Sequence, residues 1–343
     1  MNAATAPTQE QEHELLRIIH ELRSGNRQTL SKVITLLESR RTDHQLRAHA
    51  ILDRCMGMAT PAESIRIGIT GSPGAGKSTF IEIFGETIIK QGHQLAILAI
   101  DPSSERSKGS ILGDQARMTR LAGKKEVFIR PTASSGHLGG TSAKTAETIV
   151  LCEAAGHDVI IVETVGVGQS EIQIDTMVDI VILLMLPGSG DELQGIKRGI
   201  MEIADIVAIS KSDGEQAAAA ATTTGAFQTA LAMLPARPNG RKTNVIPISS
   251  ITGTGITKIW QMVSESATEM KQSGALEQRR ALQRRKLLDI HLQTELMRAY
   301  LNHHHTTQLH NDIEQQVSSG ILSPHSGALR LIEAFLHQDQ HRL

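Results

Sequence analysis

An α/β fold with a mainly parallel sheet, flanked by N-terminal and C-terminal helical arms, is predicted by three features of the sequence. Short β-branched apolar runs alternate with longer amphipathic stretches between about residues 61 and 265, the stretches on either side carry only helical spacing, and a glycine-rich turn directly follows the first apolar run. The runs cover residues 65–69, 95–100, 127–129, 159–162, 180–186, 206–209 and 245–248. Each reads as a strand buried on both faces, the pattern of a parallel sheet covered by helices. Residues 1–60 place Leu15, Leu16, Ile18, Ile19 and Leu22, then Leu30, Val33, Ile34 and Leu37, at helical spacing, so an N-terminal helical region is expected. Beyond residue 266 the chain is again helical and polar, with a break at Ser323-Pro324, and 266–343 is expected to form a C-terminal arm.

Composition narrows the function classes. The 343 residues carry 35 Lys plus Arg against 36 Asp plus Glu, a net charge of -1, and aromatics make up only 2%. Neither a basic surface for phosphate backbones nor stacking residues for bases are available, so no nucleic-acid partner is expected. Cys55 and Cys152 lie in helix-like stretches and cannot build a disulfide framework, which suits small buried residues in a reducing compartment. The longest apolar run, 180–186, is far shorter than the roughly 18 residues of a bilayer span. The first twelve residues are polar and lack a signal-peptide core. No membrane partner and a cytoplasmic location are expected.

The most specific motif follows the first strand: Gly71-Ser72-Pro73-Gly74-Ala75-Gly76-Lys77-Ser78, with Thr79 opening the next helix. This G-x4-G-K-S phosphate loop makes the fold a phosphate-loop NTPase. Its glycines let successive N–H groups face phosphate oxygens, Lys77 can reach the β and γ phosphates, and the Ser78 hydroxyl can ligate Mg2+. The following helix adds its N-terminal dipole.

Two strand ends offer a carboxylate for the magnesium side, Asp101 after residues 95–100 and Glu163 after 159–162, where ligands collect in parallel sheets. Glu163-Thr164-Val165-Gly166 has the form of a D-x-x-G switch with Glu in place of Asp, so the Gly166 N–H could meet a γ-phosphate. Base selection is expected from Ser210-Lys211-Ser212-Asp213, close to N-K-x-D. There the Asp would accept from N1 and N2 of guanine while the Lys stem packs on the ring. Ser210 stands where Asn is usual, which would hold the loop less firmly. Ser249-Ser250, after the last strand, resembles an S-A element whose backbone N–H meets guanine O6.

Together with Asp101-Pro102-Ser103-Ser104, Gly109-Ser110-Ile111-Leu112-Gly113-Asp114, Arg130-Pro131, the Ser134 to Gly140 block, the Glu163 to Glu171 block and Asp191-Glu192-Leu193-Gln194-Gly195-Ile196-Lys197, these motifs resemble the MeaB/ArgK-type GTPases over about residues 20–335. That family consists of chaperones of adenosylcobalamin-dependent methylmalonyl-CoA mutase. The resemblance implies GTP and GDP as ligands with Mg2+, an adenosylcobalamin-dependent acyl-CoA mutase as partner, and a homodimer joined by the C-terminal arm. It implies a division into 1–60, 61–265 and 266–343. It further implies that Ser78, Asp101, Asp114 and Glu163 surround Mg2+ and the phosphates, and that Asp191, Gln194 and Lys197 belong to a mobile loop. Lys197 would act there as an arginine finger does.

Two polar clusters and one rival activity remain. Eight of the fifteen histidines follow residue 290, among them His303-His304-His305, whose side chains diverge around a helix and so cannot all meet one ion. Arg279, Arg280, Arg284, Arg285 and Lys286 are expected to form a solvated or dimer-facing helix surface. The rival is an ATP-dependent kinase linked to arginine/ornithine transport, which would dispense with Asp213 and require an Arg-rich lid.

Overall fold

The computed structural model describes residues 9–39, 41–57, 64–101, 118–133, 138–164, 174–188, 198–233 and 241–337. Met1–Arg284 and Arg285–Leu343 form two compact units. The strands are β1 (Ile65–Gly71), β2 (Leu95–Asp101), β3 (Val127–Ala133), β4 (Val159–Glu163), β5 (Ile180–Met185), β6 (Ile206–Ile209) and β7 (Asn244–Pro247). The helices are α1 (Gln9–Arg23), α2 (Arg27–Glu38), α3 (Thr42–Gly57), α4 (Lys77–Ile89), α5 (Leu138–Ala154), α6 (Arg198–Ile203), α7 (Ala217–Ala232), α8 (Ile256–Gln272), α9 (Ala275–Leu301), α10 (His304–Ser318) and α11 (Pro324–His337).

The strands form one sheet in the order β3-β2-β4-β1-β5-β6-β7, and every pairing in it is parallel. All seven expected strands are present. β3 differs most from expectation, because it continues through Pro131 to Ala133. It is an edge strand, and the 2.8 Å bond from the Leu95 N–H to the Glu126 carbonyl sets an alternation that turns the Pro131 nitrogen away from β2. Proline there removes no ladder bond.

One face of the sheet buries Ile65, Ile67 and Ile69 against α4 and α8. Three of the seven aromatics lie there: Phe80 and Phe84 stack at 5.1 Å, Trp260 meets Phe84 edge-on at 6.1 Å, and its indole N–H donates to Gln91 Oε1 at 2.9 Å. On the other face Leu183, Met185, Val207 and Ile209 pack against α6 and α7. That face also takes the turn at 174–178. A Cβ added to Gly68 would lie 2.5 Å from Ile174 Cδ1, so glycine is what lets this turn rest directly on β1.

Helices α1 to α3 lie over α5. Their predicted apolar stripes are the buried ones, with Leu22, Leu30 and Ile34 fully enclosed, while Leu16 is exposed. Asn26 caps α2 by accepting from the Gln28 and Thr29 N–H groups. Cys55 and Cys152 are both buried, and burial pushes their thiols up.

The expectation for the arginine cluster fails at Arg279 and Arg280. Arg280 is buried and grips Asp179 with two bonds, Nε to Oδ1 at 3.0 Å and Nη2 to Oδ2 at 2.6 Å, while Nη2 also donates to the Ser64 carbonyl at 3.0 Å. Arg66 grips buried Glu153 in the same bidentate way at 2.7 and 2.8 Å, and Ser64 Oγ donates to Glu153 Oε1 at 2.6 Å. Spacing could not reveal this, because Asp179 and Glu153 lie about a hundred or more residues away in the chain. Arg284 fits the expectation of a solvated face, pairing with exposed Glu277.

In the second unit, α10 packs against α11. Tyr300 and His303 meet the Phe335 ring at 5.9 and 5.6 Å, and Tyr300 Oη lies 2.8 Å from His310 Nδ1. Gly327 allows the close approach, since a Cβ there would sit 3.0 Å from Ile313 Cγ2. Leu288, Leu292, Leu296 and Leu301 of α9 and Leu329, Ile332 and Leu336 of α11 remain exposed. Among the described residues no helix is long and apolar enough to cross a membrane.

Candidate nucleotide-binding site

The site is built at the carboxyl edge of the sheet, around the end of central β1. Gly71 lies opposite Leu184 of β5, and a Cβ on it would meet the Leu184 carbonyl oxygen at 2.2 Å. The Ser72 N–H donates to that same oxygen at 3.3 Å, and the Ala75 N–H returns to the Ser72 carbonyl at 3.1 Å, which closes the loop. Gly74 and Gly76 have φ of 78° and 82°, in the left-handed region, and Gly76 caps α4. The first N–H groups of α4 lack partners within the helix and face outward from its N-terminus. Pro73, Gly74 and Thr79 are exposed, whereas Ala75 is buried.

Lys77 folds back over this loop, its Nζ donating to the carbonyls of Gly71 at 3.0 Å and Ser72 at 3.3 Å. Burial lowers its pKa, and the charge of Glu163 opposes that shift. Ser78 Oγ donates to Glu163 Oε1 at 3.2 Å. A helix-start hydroxyl and a strand-end carboxylate, separated by 85 residues, are thus in contact. These are hard oxygen donors of the kind Mg2+ takes beside phosphates. Asp101 closes β2 on the same edge, two residues beyond the pairing of Ala99 with Glu163. Asp114, Gly166 and Lys197 lie outside the described residues, as do most of the Glu163 to Glu171 segment and the whole 191–197 loop.

Two further loops reach this edge. After β6, buried Ser210 directs both its N–H, at 2.8 Å, and its Oγ, at 3.0 Å, to the carbonyl of Met185 at the end of β5. The sulfur of Met185 in turn accepts from Ser72 Oγ at 3.8 Å. Ser210 therefore ties its loop to β5, and through Met185 to the phosphate loop. No sequence signal marked Met185 as this junction. Lys211 has φ of 53°, the only positive value outside glycine among the described residues. The Ser212 N–H donates to the Ile248 carbonyl at 2.9 Å, joining this loop to the next.

Asp213 Oδ1 is buried without a hydrogen-bond partner among the described residues. A carboxylate oxygen in that condition is costly unless a donor from outside meets it. After β7, fully buried Ser249 accepts the Ile251 and Thr252 N–H groups at 3.2 and 3.1 Å on Oγ, and its own N–H goes to the Thr254 carbonyl at 3.0 Å. Ser249 thus shapes the turn, and Ser250 lies within it. Gly255, with φ of 78°, closes the turn where a Cβ would strike the Pro247 carbonyl at 2.7 Å.

The phosphate-loop sequence, the strand-end carboxylates of Asp101 and Glu163, and the loops after β6 and β7 therefore share one edge of the sheet. A family model described as "Methylmalonyl Co-A mutase-associated GTPase MeaB" matches residues 30–305. The chain belongs to the MeaB family. Relatives match over more than nine-tenths of the chain. A putative GTPase of Caulobacter vibrioides is 44% identical over 317 residues, covering 92% of this chain and 96% of that protein. GTPase ArgK of Escherichia coli is 41% identical, covering 94% and 97%. The mouse protein named methylmalonic aciduria type A homolog, mitochondrial, is 42% identical, covering 93% of this chain and 79% of that one. The crystal structure of a protein named LAO/AO transport system kinase superposes with a TM-score of 0.73 at 35% identity, covering 94% and 97% of the two chains. As a MeaB family member the chain is a GTPase with a phosphate-loop α/β fold, and it binds guanine nucleotide.

Proposed function

We propose that this GTPase is a chaperone of an adenosylcobalamin-dependent acyl-CoA mutase, with methylmalonyl-CoA mutase the first candidate, and that GTP hydrolysis gates cofactor loading and protects the mutase. The family description, which names that mutase, supports the reading, as does the methylmalonic aciduria name of the mouse relative. The structural observation that carries the nucleotide part is the buried Asp213 Oδ1, without a hydrogen-bond partner among the described residues, in a loop on the same sheet edge as the phosphate loop. Guanine offers it N1–H and N2–H donors, and adenine offers no such pair.

In this reading residues 71–79 cradle the phosphates, Ser78, Asp101 and Glu163 hold Mg2+, and Asp114 and Gly166 complete the phosphate side. Bound Mg2+ would neutralise charge on the phosphate oxygens. Lys77 neutralises the β and γ phosphates, and Lys197 supplies further positive charge during transfer. Ser210, Lys211 and Asp213 select the base, helped by the backbone at Ser249 and Ser250. The protein works as a homodimer in a soluble compartment such as the cytoplasm, with 1–60, 61–265 and 266–343 as helical region, GTPase domain and dimerisation arm. The exposed leucines of α9 and α11 supply the apolar surface such an arm needs.

GTP and ATP turnover, measured with and without the mutase, test the assignment. GTP turnover is expected to exceed ATP turnover and to rise at least about fivefold with the mutase, the lower end of ordinary coupling between sites. Lys197→Ala should lose the stimulated part. Faster ATP turnover, indifferent to the mutase, would instead favour a kinase linked to arginine/ornithine transport, a reading in line with the transport-kinase name of the similar crystal structure. Base reading has its own test. Asp213→Asn replaces one acceptor with a donor, so GTP affinity should fall roughly 10- to 100-fold. Xanthosine triphosphate, with a carbonyl where guanine has its amine, should gain. An unchanged GTP preference in a titration calorimeter would remove Asp213 from the base site.

A further inference from the structure

Glu163 begins a segment whose two described ends are seated on adjacent residues of β1. At the near end the Thr164 N–H donates to the Ile69 carbonyl at 3.0 Å, extending the strand pairing. At the far end Ile174 and Val178 rest on Gly68, where even a methyl group would collide. The far end is a single turn, closed by bonds from Met177 and Val178 N–H to the Ile174 carbonyl at 3.1 and 3.2 Å. An isolated turn does not hold its own shape. Its carbonyls are instead taken by side chains from α9. Gln283 Nε2 donates to the carbonyls of Asp175 at 2.9 Å and Val178 at 2.7 Å. Arg279 donates from Nε to the Val178 carbonyl at 3.1 Å and from Nη2 to Asp175 Oδ1 at 2.6 Å.

These contacts differ in kind from the neighbouring Arg280 network. Arg280 and Asp179 are almost fully enclosed, whereas the Arg279 and Asp175 side chains are 21% and 29% exposed. A partly solvated pair contributes little to stability. It does set where the turn lies, because a guanidinium fork bonded to both a carboxylate and a carbonyl fixes direction as well as distance.

We infer that Arg279 and Gln283 are positioning residues for GTP hydrolysis: by holding the turn at Asp175–Val178 against β1, they set the far anchor of the segment that Glu163 begins. The inference rests on Glu163 acting at the phosphates. Because α9 runs on past Arg284, the first residues of the helix that enters the second unit are the ones that hold this anchor.

The test uses the full-length protein with magnesium and GTP, comparing Arg279→Ala, Asp175→Asn, Arg279→Lys and Glu163→Gln. Arg279→Ala and Asp175→Asn should each lower kcat by about tenfold, within the range seen when residues away from a ligand modulate a site. KM for GTP and the melting temperature should stay near those of the parent protein, and Arg279→Lys should recover part of kcat. Combined with Glu163→Gln, Arg279→Ala should lose less than the product of the two single effects, since both act through one segment. An unchanged kcat in Arg279→Ala overturns the inference. So does a kcat that falls only together with the melting temperature. If Glu163→Gln slows turnover and Arg279→Ala does not, the clamp alone is wrong; if Glu163→Gln has no effect, the reading of Glu163 falls with it.

Discussion

Arg280→Ala is expected to destabilise the protein by about 3–5 kcal/mol, the usual cost of removing one partner from a buried ion pair. Arg280 is 9% exposed, and its partners Asp179 and Glu153 are 1% and 2% exposed. Burial alone would pull the guanidinium pKa down. The Asp179 hydrogen bond and the charges of Asp179, Glu153 and Glu277 more than reverse this, so the cation is held. Truncation would leave Asp179 bonded only to backbone, and Glu153 with Arg66 and the Ser64 hydroxyl as its remaining donors. It would also free the Ser64 carbonyl at the entry to β1. The loss should appear as a lower midpoint in urea unfolding. Arg280→Lys should restore only part of it, since an ammonium cannot match the fork that reaches both Asp179 oxygens. Arg284→Ala, which removes an exposed pair on the same helix, should stay within about 0.5 kcal/mol of the parent. A loss below about 1 kcal/mol for Arg280→Ala would show that the network contributes no more than an exposed pair does.

Lys77→Ala should reduce GTP turnover by at least about 10²–10³-fold, the range for removing one preorganised group that stabilises transition-state charge. Lys77 belongs to the loop whose N–H groups would face the phosphates, and its Nζ is already directed across that loop by the Gly71 and Ser72 carbonyls. Desolvation there strengthens its action on a phosphate oxygen. The fold should survive, because those two carbonyls can turn to water and the apolar packing of α4 rests on Phe80, Phe84 and Ile88 instead. The discriminating pair of measurements is phosphate release and the melting temperature. Turnover above roughly a tenth of the parent value would take Lys77 out of the catalytic group.

The sheet was legible because its five inner strands are buried and must each be apolar over a short run, and that requirement is local; the edge strand β7 kept an apolar run although Asn244 and Pro247 are exposed. β3 was underestimated because the reason Pro131 can extend it, an edge position with its nitrogen turned outward, depends on which strand lies beside it. The phosphate loop was legible for the same local reason: Gly74 and Gly76 need left-handed backbone within a few residues of Lys77 and Ser78. What Ser210 bonds to was not legible, because its acceptor is remote in the chain. Met185, 25 residues earlier, supplies that acceptor.

The sequence by itself determined the α/β class and the phosphate-loop motif, and it pointed to candidate residues around that loop, since backbone curvature and strand-end chemistry are written in neighbouring positions. Only the tertiary structure decided what the charged residues outside the motifs do. Arg279 and Arg280 read as surface in a one-dimensional chain, yet Asp175, Asp179 and Glu153 arrive from over a hundred residues away to pair with them. An unpaired arginine belongs in water, and an arginine forked onto a carboxylate can be enclosed, so its place depends on partners that only folding assembles.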